Sequence, residues 1–356
     1  MRFYLAYTRG IMKTNLRQRG RAELSFLADL GLVGGHLRRA VRHDIEARIP
    51  AARLAADLDR RNEQVEAALH DSRAYENYLT LHRWSLNNLT RAAFDAFEAN
   101  RATLEPQLTG PLTGPATLTV PANAKIPDYW HNWFHNTTGG WDGHEHMGFI
   151  HGELIHRWVV GATFPGNIFA QRAAAAAECP RNDYRRILDM GCGTGHYTTA
   201  LTQKFPKAEI FGTDCSERLL NYAVRVANEN GWAWHLHRVP NEHTGFPDAH
   251  FDLVTSYILL HELPRTAIRE TFAEAFRVLR PGGDMLMADV TRFQEMDPLA
   301  VWQQDRAAHR EKEPFWRESA TLDLAAAARD AGFVKTRSYG LGAAKYPWIV
   351  YGRKPG

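Results

Sequence analysis

Cysteine is scarce in this chain: Cys179, Cys192 and Cys215 are the only three among its 356 residues. Their number is odd, and no two of them have the C-x-x-C spacing of a metal ligand pair. This pattern argues against a disulfide framework or a zinc knuckle, and it favours a reducing compartment. We therefore expect a cytoplasmic protein.

Long apolar runs and a strong net charge are also missing. No run of about 18 apolar residues occurs, so the sequence predicts no membrane span. The net charge is +3 with histidines neutral, and this small excess does not indicate a nucleic-acid partner. Several arginines and no acidic residue precede Glu23. This stretch lacks the amphipathic pattern of a transit peptide and the core of a signal peptide, so we expect no targeting segment.

Residues 1–127 are predicted to form a helical cap domain that ends in a linker. Apolar residues such as Leu58, Val65 and Leu69 recur on one helical face between positions 22 and 100. From Ala102 to Pro127, proline, glycine and threonine interrupt the helical pattern and indicate a linker or an extended segment. Exposed apolar residues on such a helical domain would suit a homodimer.

Residues 128–182 are predicted to form a lid and a connecting helix. The segment is dense in aromatic residues, whose rings could cover a dry pocket and attract a cation. It also contains six of the 17 histidines. Histidines 144, 146 and 151 could bind a metal ion, but no recognised metal motif fits them, so we predict no metal. His146 and His151 are instead candidates for proton transfer or substrate contact.

From residue 183 to the end, short apolar runs alternate with amphipathic helices. Ile187–Met190 and Phe251–Ser256 are typical of buried strands, and Arg265–Arg280 has the apolar spacing of a helix. Strands that alternate with helices imply right-handed crossovers and a sheet covered on both faces. The sequence therefore predicts an α/β domain with a doubly wound, mainly parallel sheet.

The stretch Ile187–Gly195 joins a buried strand to a helix through a tight glycine turn. Gly191 and Gly193 allow the backbone to approach a ligand, and the helix N-terminus offers unpaired N–H groups. Asp189 can take a cationic amino group of the ligand. Asp214 ends the next strand about 20 residues later and can accept both hydroxyls of a ribose. A nicotinamide cofactor could use the same features, so at this point two cofactor classes remain open.

Four segments, in this order, resemble the class I, Rossmann-like S-adenosylmethionine (SAM)-dependent methyltransferases: Ile187–Gly195, Asp214, Gly245–Asp252 and Leu279–Gly283. The similarity extends from Tyr184 to Gly352. It implies SAM as the cofactor and a seven-stranded sheet whose last strand, Trp348–Gly352, is antiparallel. We accordingly predict a SAM-binding methyltransferase domain over residues 183–356.

The resemblance also assigns cofactor contacts, position by position. The glycine loop would hold the methionine part of SAM, and Asp214 would bind the ribose hydroxyls. Cys215 would flank the adenine, and Asn241 and Glu242 would lie at its edge. Pro240 stands where the family has an acidic residue, so Glu242 or a backbone N–H is expected to replace it. The expected contacts are Asp189, Gly191, Cys192, Gly193, Gly195, Asp214, Cys215, Asn241, Glu242 and Ser256.

The methyl group and its acceptor usually meet after the fourth strand of this family's sheet. Tyr257 and His261 stand there, and His261 could act as a general base because its unperturbed pKa lies near neutrality. With His146 and His151 of the lid, they are the predicted catalytic residues. No D-P-P-Y or N-P-P-Y motif follows this strand, which counts against methylation of adenine or glutamine amino groups.

These patterns lead to one main hypothesis and several alternatives. The main hypothesis is methyl transfer from SAM to a small-molecule acceptor by in-line displacement, with the acceptor atom (O, N, S or C) left open. The arginine-rich first 61 residues motivate a methyltransferase for RNA or protein as the first alternative. The second alternative is an enzyme that uses SAM for cyclisation or elimination. A non-enzymatic scaffold would not need to keep Asp189, the glycine loop and Asp214.

Overall fold

The computed structural model describes residues 16–50, 53–122, 124–164 and 167–356. The first 15 residues, which hold most of the stretch considered as a targeting segment, lie outside these ranges. In the described part of the chain, no helix is both long and apolar enough to cross a membrane.

Four helices form the N-terminal part of the molecule. Two of them begin at ordinary capping residues: the side chain of Asp57 accepts a hydrogen bond from the N–H of Arg60, and Ser72 accepts one from the N–H of Tyr75. The helices are Gln18–Arg48 (α1), Leu58–Ala68 (α2), Arg73–Glu98 (α3) and Arg101–Thr109 (α4). Phe26 and Trp84 pack edge to face on α1 and α3 and are about half exposed. The homodimer expected through this surface stays a prediction.

The predicted linker contains a strand. Thr117–Thr119 (β1) pairs in parallel with the strand Trp234–Arg238 at the edge of the main sheet. The side-chain oxygen of Asn228 accepts a hydrogen bond from the N–H of Ala116 at 2.8 Å and fixes the approach. Three residues are too few to show an alternating pattern, and their composition is that of a linker, so the sequence did not predict this strand.

The aromatic and histidine-rich segment folds as short 3₁₀ turns followed by helices. It docks on the sheet domain through two buried hydrogen bonds, from Ser216 to Asp142 (2.7 Å) and from Tyr222 to Glu153 (2.9 Å). Its elements are the turns Asp128–His131, Phe134–Asn136 and Gly140–Asp142, the single turn Met147–Phe149 (α5), the π-helix Ile150–Val160 and the helix Asn167–Ala177 (α6). The domain boundaries predicted at residues 127 and 182 stay predictions.

The rest of the chain forms one twisted sheet with helices between its strands. The strands are Arg186–Met190 (β2), Glu209–Asp214 (β3), Trp234–Arg238 (β4), Phe251–Tyr257 (β5), Leu279–Asp289 (β6), Val334–Gly340 (β7) and Trp348–Arg353 (β8). The helices are His196–Lys204 (α7), Glu217–Glu229 (α8), Arg265–Val278 (α9), Pro298–Arg310 (α10), Trp316–Thr321 (α11) and Leu324–Asp330 (α12).

The strand order is β1-β4-β3-β2-β5-β6-β8-β7, and β8 runs antiparallel to both of its neighbours. The predicted mainly parallel sheet with an antiparallel last strand is confirmed. The sheet has eight strands rather than seven because β1 adds an edge strand.

Both faces of the sheet are covered, as a doubly wound fold requires. On one face Leu201 and Val224 of α7 and α8 pack with Ile187 of β2. On the other face Phe272 of α9 packs with Val254 of β5 in a second buried cluster. β2 and β5 are parallel neighbours in the middle of the sheet. The chain adds strands to one side of β2 up to β4 and to the other side from β5 onward, so the strand order reverses between β2 and β5. In open α/β sheets, ligands bind at this point.

Candidate cofactor and acceptor site

The loop after β2 is a series of left-handed glycines. Gly191, Gly193 and Gly195 have φ angles of 67°, 52° and 84°. Residues that carry a side chain rarely adopt such angles. Gly195 then precedes α7, so the first N–H groups of this helix face the loop. The predicted strand–turn–helix geometry is thus present at the carboxyl edge of the sheet.

Asp189 lies beneath this loop and is fully buried. The hydroxyl of Thr198 donates to its Oδ2 at 2.7 Å, whereas Oδ1 has no hydrogen-bond partner among the described residues. Burial raises the pKa of Asp189 to about 7, although the hydrogen bond from Thr198 opposes this shift. An unpartnered buried carboxylate oxygen suits a ligand that carries a cationic amino group.

Asp214 ties the glycine loop to the end of β3. Its Oδ2 accepts the N–H of Gly193 at 2.9 Å, and its Oδ1 accepts the N–H of Ser216 at 2.8 Å. Burial raises the pKa of Asp214 to about 7, against the effect of these two hydrogen bonds. Because Asp214 faces the cavity, ribose hydroxyls can reach its carboxylate.

A single cavity extends from the glycine loop to the lid and encloses about 1090 Å³ of space free of protein atoms, part of it open to solvent. Of the predicted cofactor contacts, those that line the cavity are Gly191, Cys192, Gly193, Asp214, Cys215 and Asn241.

The other predicted cofactor contacts do not line it. Ser256 is buried in β5, where its hydroxyl contacts the sulfur of Met287 at 3.0 Å. Glu242 accepts a hydrogen bond from the hydroxyl of Tyr129, a residue of the lid. Asn241 is oriented by the hydroxyl of Thr213, which donates to its amide oxygen at 2.8 Å. Of these two residues, Asn241 therefore faces the cavity, whereas Glu242 does not line it.

Aromatic side chains of the lid form the far wall. Trp141 stacks nearly parallel on Phe134, with ring centroids 6.4 Å apart, and meets His151 edge to face at 4.6 Å. Its indole N–H donates to Glu262 at 3.3 Å. The lid residues that line the cavity are Tyr129, Trp130, Phe134, His135, Trp141, His151 and His156.

Three histidine rings follow one another along this wall. His151 lies 5.1 Å from His156, and His156 lies 5.5 Å from His196, between ring centroids. Burial, and the positive charges of His135 and Arg172, lower the pKa of His151 to about 3. Burial and the charge of Arg172 likewise hold the pKa values of His156 and His196 well below the usual range. These imidazoles are therefore neutral and can accept hydrogen bonds from a ligand.

Tyr257 lines the cavity at the end of β5, as predicted for a residue near the acceptor. The guanidinium of Arg172 lies over its ring, 4.7 Å from the centroid. Arg172 itself is buried, lines the cavity and donates to the carbonyl of Ile168 at 2.9 Å. It places a positive charge beside the neutral histidines.

His261 lies behind the cavity wall and is only 1% exposed. Its Nδ1 is 3.2 Å from Oδ1 of Asp289, and the N–H of Leu260 donates to the other oxygen of Asp289 at 2.6 Å. Burial lowers the pKa of His261, but the charge and hydrogen bond of Asp289 outweigh burial and raise it. Between His261 and the cavity lie Glu262, whose Oε1 is 4.0 Å from its Nε2, and His135, whose ring centroid is 6.4 Å away.

His146 is placed away from the cavity. Its Nε2 is 3.2 Å from Glu105, and its ring contacts Phe97. His144 pairs with Glu98 at 2.9 Å, while His151 faces Trp141. The three histidines considered as a metal set therefore point to different partners.

Sequence analysis missed several residues of this site. Arg172 looked like an ordinary helix residue, and Glu262 and Glu313 stood in no motif. Glu313 is buried beside His135, and the two residues are 178 positions apart. Only the fold brings such residues together.

Comparison with known proteins agrees with this geometry. A family model described as "Methyltransferase domain" matches residues 187–283. Demethylmenaquinone methyltransferase from Deinococcus radiodurans is 31% identical over 118 residues, which is 33% of this chain and 48% of that protein. Malonyl-[acyl-carrier protein] O-methyltransferase from Hahella chejuensis is 35% identical over 108 residues, or 30% of this chain and 36% of that protein.

The chain thus spans about half or less of the length of these two curated relatives. Among solved structures, a phosphoethanolamine N-methyltransferase 2 from Haemonchus contortus in complex with SAM aligns with a TM-score of 0.45 and 14% identity. That alignment covers 60% of this chain and 58% of the other. Residues 187–283 match the methyltransferase model and lie within the doubly wound sheet that carries the glycine loop and Asp214. Residues 187–283 of this chain are thus a methyltransferase domain, and the sheet that carries them has the class I, Rossmann-like fold of SAM-dependent methyltransferases.

Proposed function

We propose that this protein transfers the methyl group of SAM to a small-molecule acceptor. The observation that carries the proposal is the continuity of one cavity from the glycine loop and Asp214 to the aromatic and histidine wall of the lid. A cofactor bound at the loop would place its reactive end toward that wall. When bound, SAM supplies an electrophilic methyl group on a sulfonium.

The protein's part in this reaction is mainly to bind, orient and exclude water. The loop from Gly191 to Gly193, with Asp189 and Asp214, would hold the cofactor. Trp141 and Phe134 would cover it, since these rings close the side of the cavity opposite the sheet. The alignment of acceptor and methyl group then depends on how rigidly the lid docks on α8.

Of the four predicted catalytic residues, Tyr257 and His151 are the ones we place against the acceptor, because both line the cavity. A neutral His151 can accept a hydrogen bond from an acceptor hydroxyl or amine. His261 would act as a positioning residue behind Glu262. His146 lies outside the cavity and is not assigned a role in catalysis.

The lid favours a small acceptor over a macromolecule, since its aromatic rings wall the cavity where a polymer would have to enter. Salt-dependent RNA binding would instead support the macromolecular alternative. Product analysis separates the cyclisation or elimination alternative from methyl transfer. Methyl transfer forms one S-adenosylhomocysteine for each methylated acceptor, whereas the alternative consumes SAM without forming S-adenosylhomocysteine.

Calorimetry with SAM and with S-adenosylhomocysteine tests the cofactor site. We expect the native protein to bind both, and Asp214→Ala to lose at least about tenfold in affinity because charge-assisted hydrogen bonds to the ribose are removed. Asp248→Ala is the matched control, since Asp248 is exposed and pairs only with Arg277 among the described residues. Equal affinities in both variants, or no binding by the native protein, would refute the proposal.

A further inference from the structure

Two histidines and a glutamate converge beside the cavity from three distant parts of the chain. His135 belongs to the lid, His261 follows β5, and Glu313 follows α10. Ligand atoms of these three side chains all lie within 4.8 Å of one another. We propose that His135, His261 and Glu313 form a binding site for one divalent first-row transition metal ion such as Zn²⁺.

Glu313 supplies the first argument. Its side chain is fully buried. Its Oε1 accepts the backbone N–H of His135 at 2.8 Å and lies 2.7 Å from Nδ1 of the same residue. Its Oε2 is buried and has no hydrogen-bond partner among the described residues. An unpartnered buried carboxylate oxygen is costly, and a bound cation would satisfy it.

His261 supplies the second argument, because its ring is held as a metal ligand usually is. The Nδ1 side is fixed by Asp289, which itself accepts the N–H groups of Leu260 and Val290. Histidines that bind metals typically donate their second ring N–H to a carboxylate in this way, which fixes the tautomer. Nε2 is then left as the ligand atom, on the side where Glu262 lies.

His135 gives the site an entrance. Its side chain is 41% exposed, and both His135 and Glu262 line the cavity. Its Nε2 is 3.4 Å from Oε1 of Glu262, which is therefore close enough to serve as a further ligand or to hold a bound water. The ion could thus enter from the cavity without opening the fold.

A second cluster of possible metal ligands lacks the features that favour an ion at His135, His261 and Glu313. Ligand atoms of Glu105, Glu145 and His146 are also within 4.8 Å of one another. There, however, the guanidinium of Arg101 lies 2.6 Å from both glutamates and already supplies the cation. In the described part of the chain, the ion-pair partners of Glu262 and Glu313 are histidines alone. A pair of imidazoles with a carboxylate and an open position is a donor set typical of zinc and of non-haem iron.

The site does not depend on the proposed methyl transfer, and its test needs no acceptor. Tag-free protein is stripped with a chelator, dialysed and titrated with Zn²⁺ against a chromophoric chelator. Co²⁺ then serves as a spectroscopic probe of nitrogen and oxygen ligation. We expect one Zn²⁺ per chain and visible d–d absorption from bound Co²⁺. Binding of less than one equivalent, or no Co²⁺ absorption, would overturn the proposal.

Variants assign the site to these residues. Glu313→Gln keeps the side-chain volume and should weaken Zn²⁺ binding by at least about tenfold. Asp289→Asn should weaken Zn²⁺ binding by about 10- to 100-fold, because Asp289 orients the ring of His261. Glu145→Gln is the matched control in the second cluster and should bind Zn²⁺ as the native chain does. If Glu313→Gln does not fold, as judged by its circular dichroism, the half-exposed His135→Ala replaces it. Undiminished Zn²⁺ binding by a folded ligand variant would show that the cluster is a histidine–carboxylate ion-pair network without a metal.

Discussion

The indole ring of Trp234 occupies the space in which a side chain on Gly195 would lie. A Cβ atom built on Gly195 would be 2.5 Å from Cζ3 of Trp234. The ring cannot easily move away, because its Nε1 donates to the hydroxyl of Thr202 at 2.8 Å and its other side is buried in the core. The start of α7 is therefore packed directly against β4.

This contact predicts a large effect of Gly195→Ala. Alanine at this position would have to adopt a left-handed backbone conformation, and its Cβ would overlap the ring of Trp234. We expect the substitution to lower the free energy of unfolding by about 2–5 kcal/mol. Urea denaturation measures the change. Gly231→Ala is the control, since Gly231 also has a positive φ angle but has no atom within 4 Å of the added Cβ. Equal losses in the two variants would mean that the Trp234 contact is unimportant.

The buried carboxyl of Asp189 predicts a pH-dependent loss of stability. Because burial raises its pKa from 3.8 to about 7, the folded state favours the protonated form. The stability that this group contributes is greatest below pH 3.8 and is lost as the pH rises to about 7. Relative to Asp189→Asn, the native protein should lose about 4 kcal/mol between pH 4 and pH 8.

Urea denaturation of both proteins at several pH values checks this prediction. Thr198→Val keeps the group that titrates but removes the hydrogen bond that lowers its pKa, so the loss of stability should extend to higher pH. Parallel pH profiles for the native protein and Asp189→Asn would contradict it.

Asp214 predicts that nucleoside binding weakens in acid. Its pKa of about 7 in the unliganded protein means that the carboxylate is largely protonated at pH 6. If bound ribose requires the ionised form, affinity should fall about tenfold between pH 8 and pH 6. Adenosine is the suitable probe, since it lacks the amino acid part that would contact Asp189. The profile should be flat in Asp214→Asn, and a flat profile in the native protein would count against the ribose role.

Trp141 predicts a preference for the charged cofactor. If its ring faces the sulfonium, cation–π attraction contributes about 0.5–2 kcal/mol to SAM binding and nothing to the neutral thioether of S-adenosylhomocysteine. Trp141→Leu should therefore weaken SAM binding about 2- to 30-fold and S-adenosylhomocysteine binding less. Calorimetry with both ligands gives the ratio, and Trp84→Leu on the distant helix α3 is the control. An equal loss for both ligands would indicate packing alone.

The sequence predicted the local backbone geometry around the glycine loop. The stretch Ile187–Gly195 and the end of β3 at Asp214 are found where the pattern of strand, glycines and helix places them, because neighbouring positions in the chain determine that geometry. The antiparallel last strand followed from the family resemblance. These predictions needed no knowledge of how the cap packs.

What the sequence could not predict depends on long-range packing. His135 and Glu313 meet only because the lid and the segment after α10 lie against the same edge of the sheet. Burial also decides the state of the histidines: His151 is neutral beside Arg172, whereas His261 is paired with Asp289. Neither periodicity nor spacing carries this information, since both residues look alike in the sequence.

The short strand Thr117–Thr119 limits how the molecule can be shortened. It pairs with His235–His237 in the middle of β4, which would otherwise form an open sheet edge. Open edges recruit strands from other chains. A chain that began at residue 128 would therefore tend to self-associate along β4. Thr117, Leu118 and Thr119 thus protect the molecule against aggregation.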